Sequence, residues 1–154
     1  MSKIIVLSVG KIRDKRIASL SKEYLERIYP GGVVSAESIP DRTGSPEERV
    51  EREGQEILKY LRPRDRLLLL REDGEEQGSM DFARLLSSEM ASAAGRVVLS
   101  IGGPWGTSQA VKNRADKGIA LSRMTFPHEM CFLFLTEQLY RAFSILRGSE
   151  YHHD

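Results

Sequence analysis

The residues best suited to chemistry lie in the last third of the chain. Gly102, Gly103 and Gly106 form a glycine-rich turn, His128 follows a proline, and Tyr151-His152 add a phenol and an imidazole. Glycine lets the backbone approach a ligand closely and adopt positive φ. Histidine is the side chain that titrates near neutral pH. This combination is typical of a ligand site with acid–base chemistry.

Each of these features also has a purely structural interpretation. The spacing Gly-Gly-x-x-Gly matches neither the dinucleotide-binding pattern nor the Gly-Lys-Ser/Thr of a P-loop, which disfavours a phosphate cradle and leaves a tight turn as an alternative. His128 could cap a helix, and His152-His153 lie in a tail of the kind that often frays. Glu137 and Arg141 have the spacing of a helix-stabilising ion pair, worth about 0.2–0.5 kcal/mol.

A metal site is not predicted. The three histidines, His128, His152 and His153, include no pair at i, i+4 spacing, and Cys131 is the only cysteine. A zinc site needs more ligands at better spacing.

The length of 154 residues predicts one domain over residues 1–154, and the composition predicts a reducing, cytoplasmic setting. A single cysteine permits no intramolecular disulfide, and neither a signal peptide nor a run of about 20 apolar residues is present. The net charge of +1 argues against strong free-standing affinity for nucleic acid. The charges are unevenly distributed, however, so a locally basic face stays open as an alternative to ordinary solvated helices.

Strands and helices are predicted to alternate, which favours a largely parallel sheet. Ser45, Ser79 and either Thr107 or Ser108 are predicted to cap helices. The predicted strands are 3–9, 33–39, 66–70, 97–101 and 119–121. The predicted helices are 17–28, 45–61, 79–95, 108–117 and 127–146.

Three predicted loops follow strands of this sheet: 71–74, 102–106 and 122–125. Ligands of open α/β sheets bind outside the carboxyl ends of the strands. The three loops are therefore predicted to form one binding site.

The last predicted helix is unusually apolar. Residues 130–135 form an uninterrupted apolar run, so the first half of this helix is hydrophobic on every side. Such a helix is either buried centrally or shared between two chains. We expect a homodimer, since two-fold dimers are the commonest oligomers.

Taken together, four segments resemble the RlmH family of SPOUT-class methyltransferases, and the resemblance extends over the whole chain. The segments are Ile101-Gly102-Gly103-Pro104-Trp105-Gly106, Leu121-Ser122-Arg123-Met124-Thr125-Phe126-Pro127-His128, Glu137-Gln138-Leu139-Tyr140-Arg141-Ala142-Phe143-Ser144-Ile145 and Tyr151-His152. The resemblance implies an α/β fold with a C-terminal trefoil knot, an obligate homodimer and S-adenosylmethionine as methyl donor. The implied reaction is methylation of N3 of a pseudouridine in large-subunit (23S) ribosomal RNA.

The resemblance also implies roles for particular residues. Four would face the RNA: His128, Arg141, Tyr151 and His152. His152 is expected to act as base or proton relay, Tyr151 to position the target base, and Arg141 to hold a phosphate or carbonyl. The family often has a basic residue after Tyr-His, whereas His153 and Asp154 follow here. The implied cofactor-binding residues are Leu70, Gly102, Gly103, Leu121, Ser122, Arg123, Met124, Thr125 and Phe126.

The implied reaction calls for a base in the site, because the weakly acidic N3–H must lose its proton before the nitrogen attacks the methyl group. A positioned base raises the reaction rate by about 10²–10⁴-fold. The low net charge favours action on assembled ribosomes rather than naked RNA. Three alternatives stay open: a SPOUT methyltransferase acting on another RNA such as tRNA, a non-catalytic RNA-binding or ribosome-assembly protein, and a nucleotide-binding module.

Overall fold

Five strands alternate with five helices along residues 3–152, the residues that this computed structural model describes. The strands are β1 (Ile4–Val9), β2 (Val34–Ile39), β3 (Arg66–Glu76), β4 (Val97–Ile101) and β5 (Lys117–Ala120). The helices are α1 (Lys15–Arg27), α2 (Pro46–Tyr60), α3 (Ser79–Ser92), α4 (Gln109–Arg114) and α5 (His128–Arg147).

The strands form one parallel sheet in the order β2-β1-β4-β3-β5. Successive side chains of a strand point to opposite faces, so each strand contributes to two cores. Ile4 and Val6 pack on the face covered by α1, α3 and α5, whereas Ile5 and Leu7 pack on the face covered by α2 and α4. The predicted α/β class with a parallel sheet is confirmed, and the trefoil knot stays a prediction.

Two of the three predicted helix caps are confirmed. Ser45 Oγ accepts a hydrogen bond from the Glu48 N–H at 3.2 Å, and Ser108 Oγ accepts one from Val111 at 3.2 Å. The prediction for Ser79 is wrong: Gly78 occupies the cap position without a side-chain hydrogen bond. The Ser79 hydroxyl instead donates to Gln138 Oε1 of α5 at 2.7 Å, because α5 offers a tertiary acceptor.

The predicted end of the third strand is also wrong. β3 does not stop at Leu70 but pairs with β5 again at Glu75, after a bulge over 71–74. The bulge lies directly against β5, since a Cβ on Gly74 would come within 2.7 Å of the Ile119 backbone nitrogen.

A backbone contact also moves the boundary between α4 and β5. The Asp116 N–H donates to the Leu67 carbonyl at 2.8 Å, which draws the chain alongside β3. Consequently α4 ends at Arg114 rather than near Lys117, and β5 begins at Lys117 rather than at Ile119.

Two partly buried ion pairs hold the amino-terminal edge of the sheet. Arg96 Nη2 lies 2.7 Å from Asp65 Oδ2, and Arg66 Nε lies 2.7 Å from Glu89 Oε2. Burial raises the pKa of Asp65, but the hydrogen bonds from Arg96 and the backbone outweigh it and leave a lowered pKa. The hydrogen bond from Arg66 likewise lowers the pKa of Glu89. Both carboxylates therefore stay ionised and keep the strand beginnings aligned.

Helix α5 runs antiparallel to the strands, back from the carboxyl-terminal edge of the sheet. Its last residue, Arg147, places its guanidinium 5.9 Å from the ring of Tyr29, which lies before β2 at the amino-terminal edge. Its apolar first half is covered on one side only: Phe132 and Leu135 are buried, but Phe134 is 39% exposed. Central burial within one chain is thereby excluded for residues 3–152. No helix in this range has the length and apolar character needed to span a bilayer.

Helix α2 supports α4 through Gly54. A Cβ on Gly54 would lie 2.3 Å from Oγ of the buried capping residue Ser108. We expect Gly54→Ala to destabilise the protein by about 2 kcal/mol, because an overpacking cost near 3 kcal/mol exceeds the helix-propensity gain of about 1 kcal/mol. Urea denaturation measures the change.

Gly31→Ala is the matched control, since a Cβ there meets nothing within 4 Å. Its free energy of unfolding should stay within about 1 kcal/mol of wild type. Equal stability of the two variants would contradict the tight packing between α2 and α4.

Candidate active site

The carboxyl-terminal edge of the sheet carries a cavity of about 670 Å³. Its walls are the β3 bulge, the turn after β4, and the segment that joins β5 to α5. The lining residues are 70–73, 101–104, 106, 107, 112, 121, 122, 124–128 and 131. The structure therefore brings the three loops singled out in the sequence to one place.

Eight of the nine residues predicted to hold a cofactor line this cavity: Leu70, Gly102, Gly103, Leu121, Ser122, Met124, Thr125 and Phe126. The ninth, Arg123, does not. Its side chain is exposed and lies 3.4 Å from Glu76 Oε2 in an ion pair. Cofactor binding by these eight residues stays a prediction.

The turn after β4 requires its glycines. The Gly106 N–H donates to the Gly103 carbonyl at 3.1 Å, and Gly106 has a φ of +96°, which disfavours side chains. A Cβ on Gly102 would lie 2.7 Å from Thr107 Oγ1. The backbone itself thus forms this wall of the cavity, while the Trp105 side chain projects outward and is 54% exposed.

Charges of both signs lie at the rim. Arg71 donates from Nε and Nη2 to the two carboxylate oxygens of Asp73, at 2.6 and 2.8 Å, and these bonds lower the pKa of Asp73. Lys112 adds a second cation. Burial, followed by the negative charge of Glu72, raises the pKa of the Cys131 thiol, which therefore remains neutral near pH 7.

One residue that packs against the glycine turn was not among the predicted site residues. Glu53 of α2 is buried, its Oε2 accepts a hydrogen bond from the Arg42 N–H at 3.2 Å, and its Oε1 would lie 2.7 Å from a Cβ on Gly103. The available signal was Gly54 beside it. Glycine inside a helix costs about 1 kcal/mol relative to alanine and so indicates a close contact.

A second polar cluster, which we call the tail cluster, forms where the tail, residues 149–152, folds back on α5. Arg141 donates from Nε and Nη2 to Glu137 Oε1 at 2.9 and 2.6 Å, which confirms the predicted i, i+4 pair. The Tyr151 hydroxyl donates to the same oxygen at 3.2 Å, and Arg141 Nη1 donates to His152 Nδ1 at 3.1 Å. The predicted residues therefore lie together: Tyr151 and His152 belong to a tail that packs on α5, and Arg141 belongs to α5 itself.

The hydrogen bonds of this cluster define what each group can do. Burial and the charge of Glu137 raise the pKa of Tyr151 to about 12, so its phenol is a donor rather than a base. Arginine has no acceptor, so His152 Nδ1 accepts, and the proton of the neutral ring lies on Nε2. The Arg141 guanidinium therefore occupies His152 Nδ1 in this arrangement.

The cavity and the tail cluster lie far apart within one chain. His128 begins α5 and lines the cavity, whereas Arg141 is 13 positions further along, which is about 20 Å at 1.5 Å per residue. His128 makes no capping hydrogen bond, because Pro127 occupies the cap position, so the capping interpretation is wrong. His153, where the family has a basic residue, lies outside the described residues.

Among residues 3–152, no group of three His, Cys, Asp or Glu side chains is arranged to hold a metal ion.

Comparison with known proteins shows the family to which the chain belongs. The family model described as a predicted SPOUT methyltransferase matches residues 2–152, and the chain belongs to this family of methyltransferases. The protein named ribosomal RNA large subunit methyltransferase H from Porphyromonas gingivalis is 45% identical over 99% of each chain. Its namesake from Bacteroides fragilis is 37% identical, again over 99% of each chain.

Solved structures show the same fold at lower identity. A probable methyltransferase from Bordetella pertussis superimposes with a TM-score of 0.59 at 12% identity, covering 92% of this chain and 95% of its own. A probable rRNA-methyltransferase from Porphyromonas gingivalis gives a TM-score of 0.56 at 13% identity, covering 95% and 70%. At these identities the likeness concerns the fold alone.

The protonation of Tyr151 can be measured by NMR of ¹³C-labelled tyrosine, with Tyr151→Phe identifying the resonance. With its pKa near 12, only about 3% of Tyr151 should be ionised at pH 10.5, against about 75% for an ordinary tyrosine. Glu137→Gln should lower this pKa, because it removes a negative charge that opposes the phenolate, and burial should keep it above 10. Ionisation of wild-type Tyr151 near pH 10 would contradict the cluster.

Proposed function

We propose that this protein transfers the methyl group of S-adenosylmethionine to N3 of a pseudouridine in large-subunit ribosomal RNA. The observation that carries the proposal is the cavity at the carboxyl-terminal edge, which gathers eight predicted cofactor residues in a chain of the SPOUT methyltransferase family. The names of the relatives supply the class of RNA.

The cavity fits S-adenosylmethionine in size and in chemistry. Its volume of about 670 Å³ lies within the range of about 300–1,000 Å³ that is usual for small-molecule sites. Leu70, Leu121 and Phe126 offer apolar surface to a purine, and the glycine turn allows close backbone contact. The mixed charges of Asp73 and Lys112 suit a ligand that carries both an ammonium and a carboxylate group.

The bound cofactor supplies an activated methyl group on sulfur. The protein must bring the pyrimidine ring to it and remove the N3 proton. The Tyr151 phenol and the Arg141 guanidinium are donors able to stabilise negative charge on the ring oxygens. When RNA draws Arg141 away, His152 Nδ1 becomes free to accept or relay the proton, and His128 lies at the cavity itself.

A homodimer would unite the two parts of the site. The exposed Phe134 packs against Phe126, with ring centroids 5.2 Å apart, and Phe126 also lines the cavity. A partner that covers this apolar surface would therefore lie beside the cavity and bring its own tail close. This arrangement would explain why most of α5 separates the cavity from the tail cluster within one chain.

The RNA would be recognised as part of an assembled ribosome, in the cytoplasm. A net charge of +1 gives little general attraction for naked RNA, so shape and several contacts together would have to supply affinity.

The proposal is tested by incubating the protein with labelled S-adenosylmethionine and one of four substrates: assembled ribosomes, isolated large subunits, deproteinised rRNA and tRNA. The ribosomes come from cells that lack this gene. We expect label in large-subunit RNA from assembled ribosomes, located by mass spectrometry at N3 of a pseudouridine, and at most about a tenth as much in deproteinised rRNA.

Two measurements separate the other outcomes. Calorimetry that detects no binding of S-adenosylmethionine would favour a non-catalytic RNA-binding protein. Preferential labelling of tRNA would reject the ribosomal substrate while keeping the methyltransferase, and equal labelling of deproteinised rRNA would reject only the need for an assembled ribosome.

A further inference from the structure

The amino-terminal edge of the sheet, opposite the cofactor cavity, carries a local excess of positive charge in a chain whose net charge is only +1. We call this surface the basic edge. Its acidic members are Asp65, Glu89 and Asp116. Its basic members are Lys3, Arg62, Arg64, Arg66, Arg96, Arg114 and Lys117.

All three carboxylates of the basic edge are already used within the fold. Asp65 accepts two hydrogen bonds from the Arg96 side chain, at 3.2 and 2.7 Å. Glu89 lies within 3.6 Å of Lys117 in addition to its bonds with Arg66. Asp116 has its own cation partners, Arg66 Nη1 at 3.1 Å and Arg114 Nη1 at 3.3 Å.

Three basic side chains of the basic edge are not paired with any of these carboxylates. Lys3, Arg62 and Arg64 are exposed, and across residues 3–152 none of them forms an ion pair. All three line one open cavity of about 810 Å³. A concave surface with several unneutralised cations favours a polyanion with closely spaced charges.

The backbone that carries the two arginines is firmly held. The Arg62 N–H donates to Asp65 Oδ2 at 2.9 Å, and the Asp65 N–H donates back to the Arg62 carbonyl at 3.0 Å. A Cβ on Gly95 would lie 2.7 Å from the Arg64 carbonyl oxygen, so the turn packs directly on the chain before β4. The guanidinium groups therefore extend from a preorganised turn.

We propose that the basic edge binds the phosphate backbone of the RNA beside the target nucleotide. The inference rests on the proposed function, which supplies the RNA. Helix α5 also ends on the amino-terminal side of the sheet, as the contact of Arg147 with Tyr29 before β2 shows. If the tail of one protomer reaches the cavity of its partner, the basic edge of that protomer borders the partner's cavity, where flanking RNA must pass.

The test compares methyl transfer to assembled ribosomes by wild type and Arg62→Ala/Arg64→Ala over a range of KCl concentrations. We expect the double variant to lower kcat/KM about tenfold at low salt and to leave kcat at saturating ribosomes unchanged. The slope of log(kcat/KM) against log[KCl] should become shallower by about 1.5, since each lost phosphate contact contributes about 0.7–0.9. The Kd for S-adenosylmethionine should not change.

The matched control is Arg52→Ala/Arg84→Ala, which removes the same charge from exposed residues of α2 and α3 outside the basic edge. It should keep the wild-type slope, and Arg62→Lys/Arg64→Lys should keep most of it, because phosphate contact requires charge. A wild-type slope in Arg62→Ala/Arg64→Ala, or an equal loss in the control, would overturn the inference.

Failure of the proposed function gives a different result. In that case wild type itself labels no ribosomal RNA at any salt concentration. If the protein methylates ribosomal RNA but the basic edge does not contact it, all variants are as active as wild type. A basic edge that serves an acidic protein instead would show the same absence of effect on kcat/KM, and would likewise overturn the RNA assignment.

Discussion

The parallel alignment of the five strands is the constraint on which the rest of the structure depends. It places every strand's carboxyl end at one edge, so the β3 bulge, the Gly102–Gly106 turn and the β5–α5 connection meet around one cavity. The ion pairs Asp65–Arg96 and Glu89–Arg66 fix the opposite edge. Because their carboxylates have lowered pKa values, the stability that they contribute is present above about pH 4 and is lost as pH falls through the folded-state pKa values.

The same alignment separates the proposed methyl-donor cavity from the tail cluster. A helix that follows the last parallel strand must run back along the sheet, so α5 begins at the cavity and carries Arg141 about 20 Å away from His128. One end of α5 faces the methyl-donor site that we propose, and the other end carries the tail cluster. The apolar surface around Phe134 offers a way to bring both ends together through a second chain.

Much of this arrangement could be predicted from particular residues, because the signals were local. The apolar runs predicted the buried strands, and Ser45 and Ser108 indicated where two helices begin. The resemblance indicated eight residues that line one cavity. What could not be predicted depends on tertiary contacts. Gln138 draws away the Ser79 hydroxyl, β5 takes up the chain beyond Leu70, and Arg123 pairs with Glu76 outside the cavity. The hydrogen bond from Arg141 to His152 Nδ1 likewise could not be predicted, because it forms only when the tail folds on α5.

The central claim, that each active site combines the cavity of one chain with the tail of another, is tested most directly by subunit complementation. One subunit ends after Gly148, which removes Tyr151 and His152, and the other carries Gly102→Val, which closes the cofactor wall against Thr107. Each homodimer should be inactive. The purified heterodimer should retain about half of the wild-type rate of methyl transfer to ribosomes, because one complete site remains. Complete inactivity of a folded heterodimer that still binds S-adenosylmethionine would contradict the claim.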